Sequence, residues 1–103
     1  MEAGALLFSQ AARRLGAATR AAGLTVPAFR CPPRVAGAHR TIRRYPGGAV
    51  VAVRLRGRPF AEVASDMVEG VLAANRIDET AADRLRPLLH QAIEPAVDQP
   101  AAA

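Results

Sequence analysis

The sequence predicts an α+β fold in the order α-β-β-α-α, with a β-hairpin that packs one face against helices. Two observations predict it. Two β-prone runs flank Pro46-Gly47-Gly48, and three other stretches repeat apolar residues at helical spacing. At 103 residues the chain fits one domain. We place that domain at residues 1–94 and expect a disordered tail at residues 95–103.

The first predicted helix covers residues 3–22. Its apolar stripe consists of Leu7, Phe8, Ala11, Leu15, Ala18 and Ala22. Arg13 and Arg20 lie on the opposite side of the helical wheel, and Gly23 is a candidate C-cap. Residues 24–37 hold three prolines and are predicted to form an extended connector.

The predicted hairpin pairs residues 39–45 with residues 49–56. A two-residue turn at Gly47 and Gly48 would place Ile42 opposite Val53. One face would then be apolar and would consist of Ile42, Val51, Val53 and Leu55. The other face would be basic and would carry His39, Thr41, Arg43, Tyr45, Val50, Ala52, Arg54 and Arg56. A three-residue loop would turn Arg43 toward the buried side, so burial favours the two-residue turn.

The edges of this hairpin are predicted to need a partner. A two-stranded hairpin is marginally stable by itself, and open strand edges are sites of strand pairing. Two alternatives would supply a pairing partner for these edges. The connector at residues 24–37 supplies a third strand, or two copies pair edge to edge as a homodimer.

Two further helices are predicted near residues 59–75 and 79–93. Pro59 suits the first helical position of the former, and Asp78 suits the N-cap of the latter. The apolar face of the former consists of Phe60, Val63, Ala64, Met67, Val68, Val71 and Leu72, and its acidic edge of Glu62, Asp66 and Glu69. The apolar face of the latter consists of Leu85, Leu88, Leu89 and Ile93. Pro87 is expected to kink this last helix.

Charge is distributed unevenly along the chain. Residues 1–58 contain 11 arginines and one acid, whereas residues 59–103 contain three arginines and eight acids. A basic half is typical of proteins that contact phosphates or acidic protein surfaces. The alternative is that the two halves fold together and neutralise each other. The absence of lysine is explained by the codon usage of a GC-rich genome.

Six arginines around the hairpin form the candidate nucleic-acid-binding site. They are Arg40, Arg43, Arg44, Arg54, Arg56 and Arg58. The sequence Arg56-Gly57-Arg58-Pro59 resembles the core of an AT-hook and the Arg-Gly-Arg element of bacterial nucleoid-associated proteins. That resemblance implies insertion of arginines into the narrow minor groove of AT-rich DNA. The flanking strand and helix favour a strand-to-helix turn instead, with an unusual φ at Gly57.

No motif in the sequence indicates catalysis. Cys31, His39 and His90 do not have zinc-ligand spacing, and there is no nucleophile elbow, P-loop or dinucleotide fingerprint. We therefore predict a protein that is not an enzyme and that uses no cofactor or metal. The run from Arg40 to Arg76 resembles that of small uncharacterised proteins from GC-rich actinobacteria, a resemblance that implies no function.

The predicted location is the cytoplasm, with no membrane partner. The sequence has a single cysteine, no apolar run of about 18 residues, and no secretory signal. An amphipathic, arginine-bearing N-terminus is also typical of a mitochondrial transit peptide, which is the alternative. The predicted function is that of a nucleic-acid-binding or nucleoid-associated accessory protein. The alternative is a homodimeric protein-interaction or regulatory module, without nucleic-acid binding, whose arginines meet an acidic protein surface.

Overall fold

The computed structural model describes residues 3–30, 41–45, 48–55 and 57–97, and the chain is a mixed α+β protein. The elements are α1 (Ala3–Ala21), β1 (Ala28–Arg30), β2 (Thr41–Tyr45), β3 (Gly48–Ala52), α2 (Phe60–Ala74) and α3 (Glu79–Val97). The order therefore contains one strand more than the predicted α-β-β-α-α, because part of the connector forms β1.

The three strands form one mixed sheet in the order β1-β3-β2. β1 runs parallel to β3, with Phe29 opposite Val51, and the Arg30 carbonyl accepts a 2.8 Å hydrogen bond from the amide of Val53. β2 runs antiparallel to β3, with Tyr45 opposite Gly48. The third strand thus comes from the connector at residues 24–37, which is one of the two alternatives predicted for the open edges of the hairpin.

The predicted hairpin register is wrong by two residues, although the predicted buried face of the second run is confirmed. Ile42 pairs with Val51 and not with Val53. Because side chains along a strand alternate with a period of two, a slip of two residues leaves every side chain on its original face. Val51 and Val53 are accordingly fully buried, whereas Val50 is half-buried. The proposed turn residue Gly47 lies outside the described residues.

Helix α2 is the centre of the core, because it contacts the sheet on one side and α1 and α3 on the other. Its buried side chains include Val63, Met67, Val68 and Val71. The rest of the chain contributes buried residues to the same cluster, namely Ala11, Leu15, Val51, Val53, Ala82, Leu89 and Ile93. Each fully buried Val or Leu contributes about 1.5–3 kcal/mol relative to an exposed one.

Helices α1 and α2 end in the same capping arrangement. The amide of Gly23, with φ +76°, donates to the Arg20 carbonyl at 3.0 Å, and the amide of Leu24 donates to the Thr19 carbonyl at 3.0 Å. This pattern is a Schellman motif, so the predicted C-cap is confirmed. In α2 the corresponding left-handed position is occupied by a non-glycine residue, Arg76, with φ +52°. Its amide donates to the carbonyl of Ala73 at 3.1 Å.

The helix starts agree with the sequence more closely than the end of α3 does. Pro59 is the N-cap of α2 and not its first helical residue, so α2 begins one residue later than predicted. Asp78 caps α3 by accepting a 2.9 Å hydrogen bond from the amide of Ala81. α3 continues through Pro87 to Val97, beyond the predicted end at residue 93. Residues 95–97 of the predicted tail are therefore helical, and residues 98–103 lie outside the described residues.

One predicted core residue of α3 is not in the core. Leu88 is 59% exposed, whereas Leu89 and Ile93 are buried. Leu88 and Leu89 are adjacent, and adjacent residues of a helix point about 100° apart, so burial of Leu89 leaves Leu88 outside. Among the described residues, no helix is long and apolar enough to cross a membrane.

Candidate nucleic-acid interface

Arg58 connects the end of the sheet to the first turns of α2. Its Nη1 donates to the Arg54 carbonyl at 3.0 Å. Its guanidinium also lies 2.8 Å from the Asp66 carboxylate and 3.7 Å from that of Glu62. The Arg58 side chain is only 11% exposed. This arginine therefore has an internal role, holding the strand-to-helix connection against α2.

The geometry of this connection agrees with a turn. Gly57 has φ +75°, a conformation that glycine adopts without the strain of a side chain. The amide of Arg58 donates to the Leu55 carbonyl at 3.3 Å and closes the turn. The predicted strand-to-helix turn is thus confirmed at Gly57. An arginine that inserts into a minor groove needs a free guanidinium, and that of Arg58 is held by carboxylates. Arg56 lies outside the described residues.

The outer face of the sheet is the surface opposite α2. On β3 and directly after it, the buried residues are Ala49, Val51 and Val53. The alternate positions 50, 52 and 54 therefore lie on the outer face. Arg54 is half-buried there, and its Nε is buried without a hydrogen-bond partner among the described residues.

Arg30 reaches the same outer face from β1, and the sequence analysis missed it. Its Cα partner on β3 is Ala52, so the two residues share a face, and Arg30 is exposed. The signal that could have found it is weak, because β1 has only three residues. In β1 the half-buried Phe29, which packs against the core, lies between the exposed residues Ala28 and Arg30. This alternation covers only three residues, which is too few to predict a strand from the sequence.

The structure places the predicted site residues on separate parts of the fold. Arg43 pairs through its backbone with Val50, and Arg44 with Ala49. Arg43 thus belongs to β2 and Arg54 directly follows the neighbouring β3, whereas Arg58 lies over α2. Arg40 is outside the described residues.

Ion pairs neutralise the acidic edge of α2. Arg86 binds Glu69 through Nε at 2.6 Å and through Nη2 at 3.3 Å, and its Nη1 lies 2.9 Å from Asp83. The hydrogen bonds that Arg86 donates, first to Glu69 and then to Asp83, raise the pKa of Arg86 above its ordinary value. Together with the contacts of Arg58, these pairs occupy Glu62, Asp66 and Glu69.

The two oppositely charged halves meet through few ion pairs. Among the side chains that the structure describes, Arg58 is the single arginine of residues 1–58 that pairs with a carboxylate. Arg30 and Arg54 pair with none of the described acids. Mutual neutralisation of the two halves therefore accounts for Arg58 but not for the arginines of the outer face.

No metal centre accompanies these charges in the described part of the chain, where no three His, Cys, Asp or Glu side chains are grouped as ligands. Comparisons with protein-family models, curated proteins and solved structures found no significant match.

Proposed function

We propose that this protein binds nucleic acid through the outer face of its three-stranded sheet, as an accessory or nucleoid-associated protein of the cytoplasm. One observation carries the proposal. Arg30 and Arg54 lie on this face without a carboxylate partner among the described side chains, while the acids of α2 are occupied by Arg58 and Arg86. Guanidinium groups bind phosphate oxygens through charge-assisted hydrogen bonds.

The spacing of the two arginines suits a shared backbone. Arg30 lies beside Ala52, the last residue of β3, and Arg54 lies two residues further along the chain. Neighbouring strands are about 4.8 Å apart and residues along a strand rise about 3.3 Å each, so the two Cα positions are roughly 8 Å apart.

The test is binding to a 20-base-pair duplex and to one of its single strands across a salt series. Each phosphate contact on duplex DNA contributes about 0.9 to the slope of log affinity against log salt. Arg30→Gln with Arg54→Gln should weaken binding and flatten that slope by about two units. Arg84→Gln is the matched control, because Arg84 is exposed on α3, away from the sheet. Absence of binding to either form near physiological salt would reject the proposal.

The alternative function is a homodimeric interaction module that does not bind nucleic acid. In the order β1-β3-β2, the outer strands β1 and β2 each have one edge that no described strand covers. Such an edge can pair with a second copy or with an acidic partner segment. Sedimentation equilibrium distinguishes the two functions. A dimer that does not bind DNA favours the module, and a monomer that binds DNA favours the first proposal.

A further inference from the structure

The outer face of α1 carries an open depression of about 640 Å³. Five described residues line it, namely Gln10, Arg13, Arg14, Ala17 and Arg20. At about 100° per residue they occupy an arc of about 120° around α1, and the buried core positions Ala11 and Leu15 lie outside this arc. Ala17 has the shortest side chain of the five and is exposed, which leaves room between the longer ones.

Three like charges converge on this depression. Arg13, Arg14 and Arg20 are exposed, and none of them forms an ion pair with a described carboxylate. An arginine remains charged at any physiological pH, so the group repels itself and attracts anions. From Arg13 to Arg20 the helix rises about 10 Å, so the cationic row is longer than a single phosphate group.

A polar atom without a partner lies at the same place. The Gln10 Oε1 is buried and forms no hydrogen bond with the described residues. Buried polar atoms are rarely left unsatisfied, so such an atom needs an explanation. The Nε2 of the same carboxamide carries two N–H groups, which can donate to an anion.

We propose that this depression binds an oligophosphate, a ligand with two or more linked phosphoryl groups. Three guanidinium groups and one carboxamide supply donors to several phosphate oxygens along a row. The described lining residues include no aromatic side chain on which a base could stack. The phosphates can come from a free polyphosphate or from a nucleic-acid backbone. The site is separate from the outer face of the sheet, so it does not depend on the proposed function.

The test uses tripolyphosphate and a 20-base-pair duplex as two separate probes, with affinity measured by titration calorimetry. The key variant is Ala17→Glu, which places a carboxylate among the three arginines. Ala17→Gln is its control, because it has nearly the same size and no charge. Ala17 is exposed, and a helix tolerates both Glu and Gln, so both variants should fold.

We expect Ala17→Glu to weaken tripolyphosphate binding by at least about tenfold, while Ala17→Gln remains within about threefold of the parent. Arg84→Gln should leave this affinity unchanged, because Arg84 is exposed on α3 and does not line the depression. A loss confined to the duplex would identify a nucleic-acid backbone as the source of the phosphates. Equal affinities of the Glu and Gln variants for both probes, or no binding of either probe by the parent, would overturn the proposal.

Discussion

The carboxamide of Asn75 hydrogen-bonds both backbone polar groups of Thr25, a residue 50 positions earlier in the chain. Its Oδ1 accepts from the Thr25 amide and its Nδ2 donates to the Thr25 carbonyl, each at 2.9 Å. The same Nδ2 donates to the Val71 carbonyl at 2.9 Å. The end of α2 is thereby joined to the segment that leads into β1, so this side chain helps to position the outer face of the sheet.

Asn75→Ala should therefore destabilise the fold. It removes three hydrogen bonds, of which the two to Thr25 are exposed, so water can replace Asn75 there and the expected cost is about 0.5–1.5 kcal/mol in urea denaturation. Thr25→Ala is the control, because only the backbone of Thr25 takes part, and it should change stability by less than about 0.5 kcal/mol. Equal stabilities of the two variants would show that the Asn75 contacts contribute little.

Arg76→Gly is expected to stabilise the protein. Arg76 adopts φ +52° at the left-handed position after α2, where an L-residue with a side chain is strained and glycine is not. The expected gain is about 0.5–1 kcal/mol, measured as a shift of the denaturation midpoint. The same substitution at Arg84, inside α3, should instead cost about 1 kcal/mol. A loss of stability at both positions would contradict the capping argument.

Adding one methyl group should have opposite effects at two helical glycines. A Cβ at Gly70 would lie 2.7 Å from Val51 Cγ1, whereas one at Gly16 would lie 3.5 Å from Val26 Cγ1, an ordinary contact distance. Gly70→Ala should cost about 1–3 kcal/mol through overpacking of α2 against β3. Gly16→Ala should stabilise by up to about 1 kcal/mol through helix propensity. Thermal unfolding compares the two variants directly. Adding Val51→Ala should reduce the stability cost of Gly70→Ala and should not change the effect of Gly16→Ala.

The Arg58–Asp66 pair should couple more strongly than an exposed pair does. Arg58 is 11% exposed and Asp66 26%, whereas the Asp83 partner of Arg86 is 72% exposed. A double-mutant cycle with Arg58→Gln and Asp66→Asn should give a coupling of about 1–3 kcal/mol. The corresponding cycle for Arg86 and Asp83 should give at most about 0.5 kcal/mol. Similar couplings in both cycles would mean that burial does not strengthen the Arg58 pair.

If Arg58 is structural, its loss should not alter the sequence preference of DNA binding. Arg58→Gln should lower the melting temperature and leave the ratio of affinities for AT-rich and GC-rich duplexes unchanged. A selective loss of AT-rich binding without destabilisation would instead support the hook interpretation.

Local interactions made much of this fold predictable from the sequence. The three helices follow from apolar residues at helical spacing, and the caps at Gly23 and Asp78 involve partners within five residues. The buried face of the sheet also follows, since burial of Val51 and Val53 needs only an alternating pattern. These features depend on neighbours along the chain, which the sequence displays directly.

Long-range geometry decided the rest. An alternating pattern has a period of two, so it could not distinguish Ile42 opposite Val51 from Ile42 opposite Val53. β1 is too short to show a pattern, and its place depends on β3 and on the distant Asn75. The number of arginines and their concentration in residues 1–58 can be read directly from the sequence. The contact of Arg58 with Asp66, and the lack of a described acid beside Arg30, follow from the tertiary packing, because the partner of a long charged side chain depends on which elements pack together.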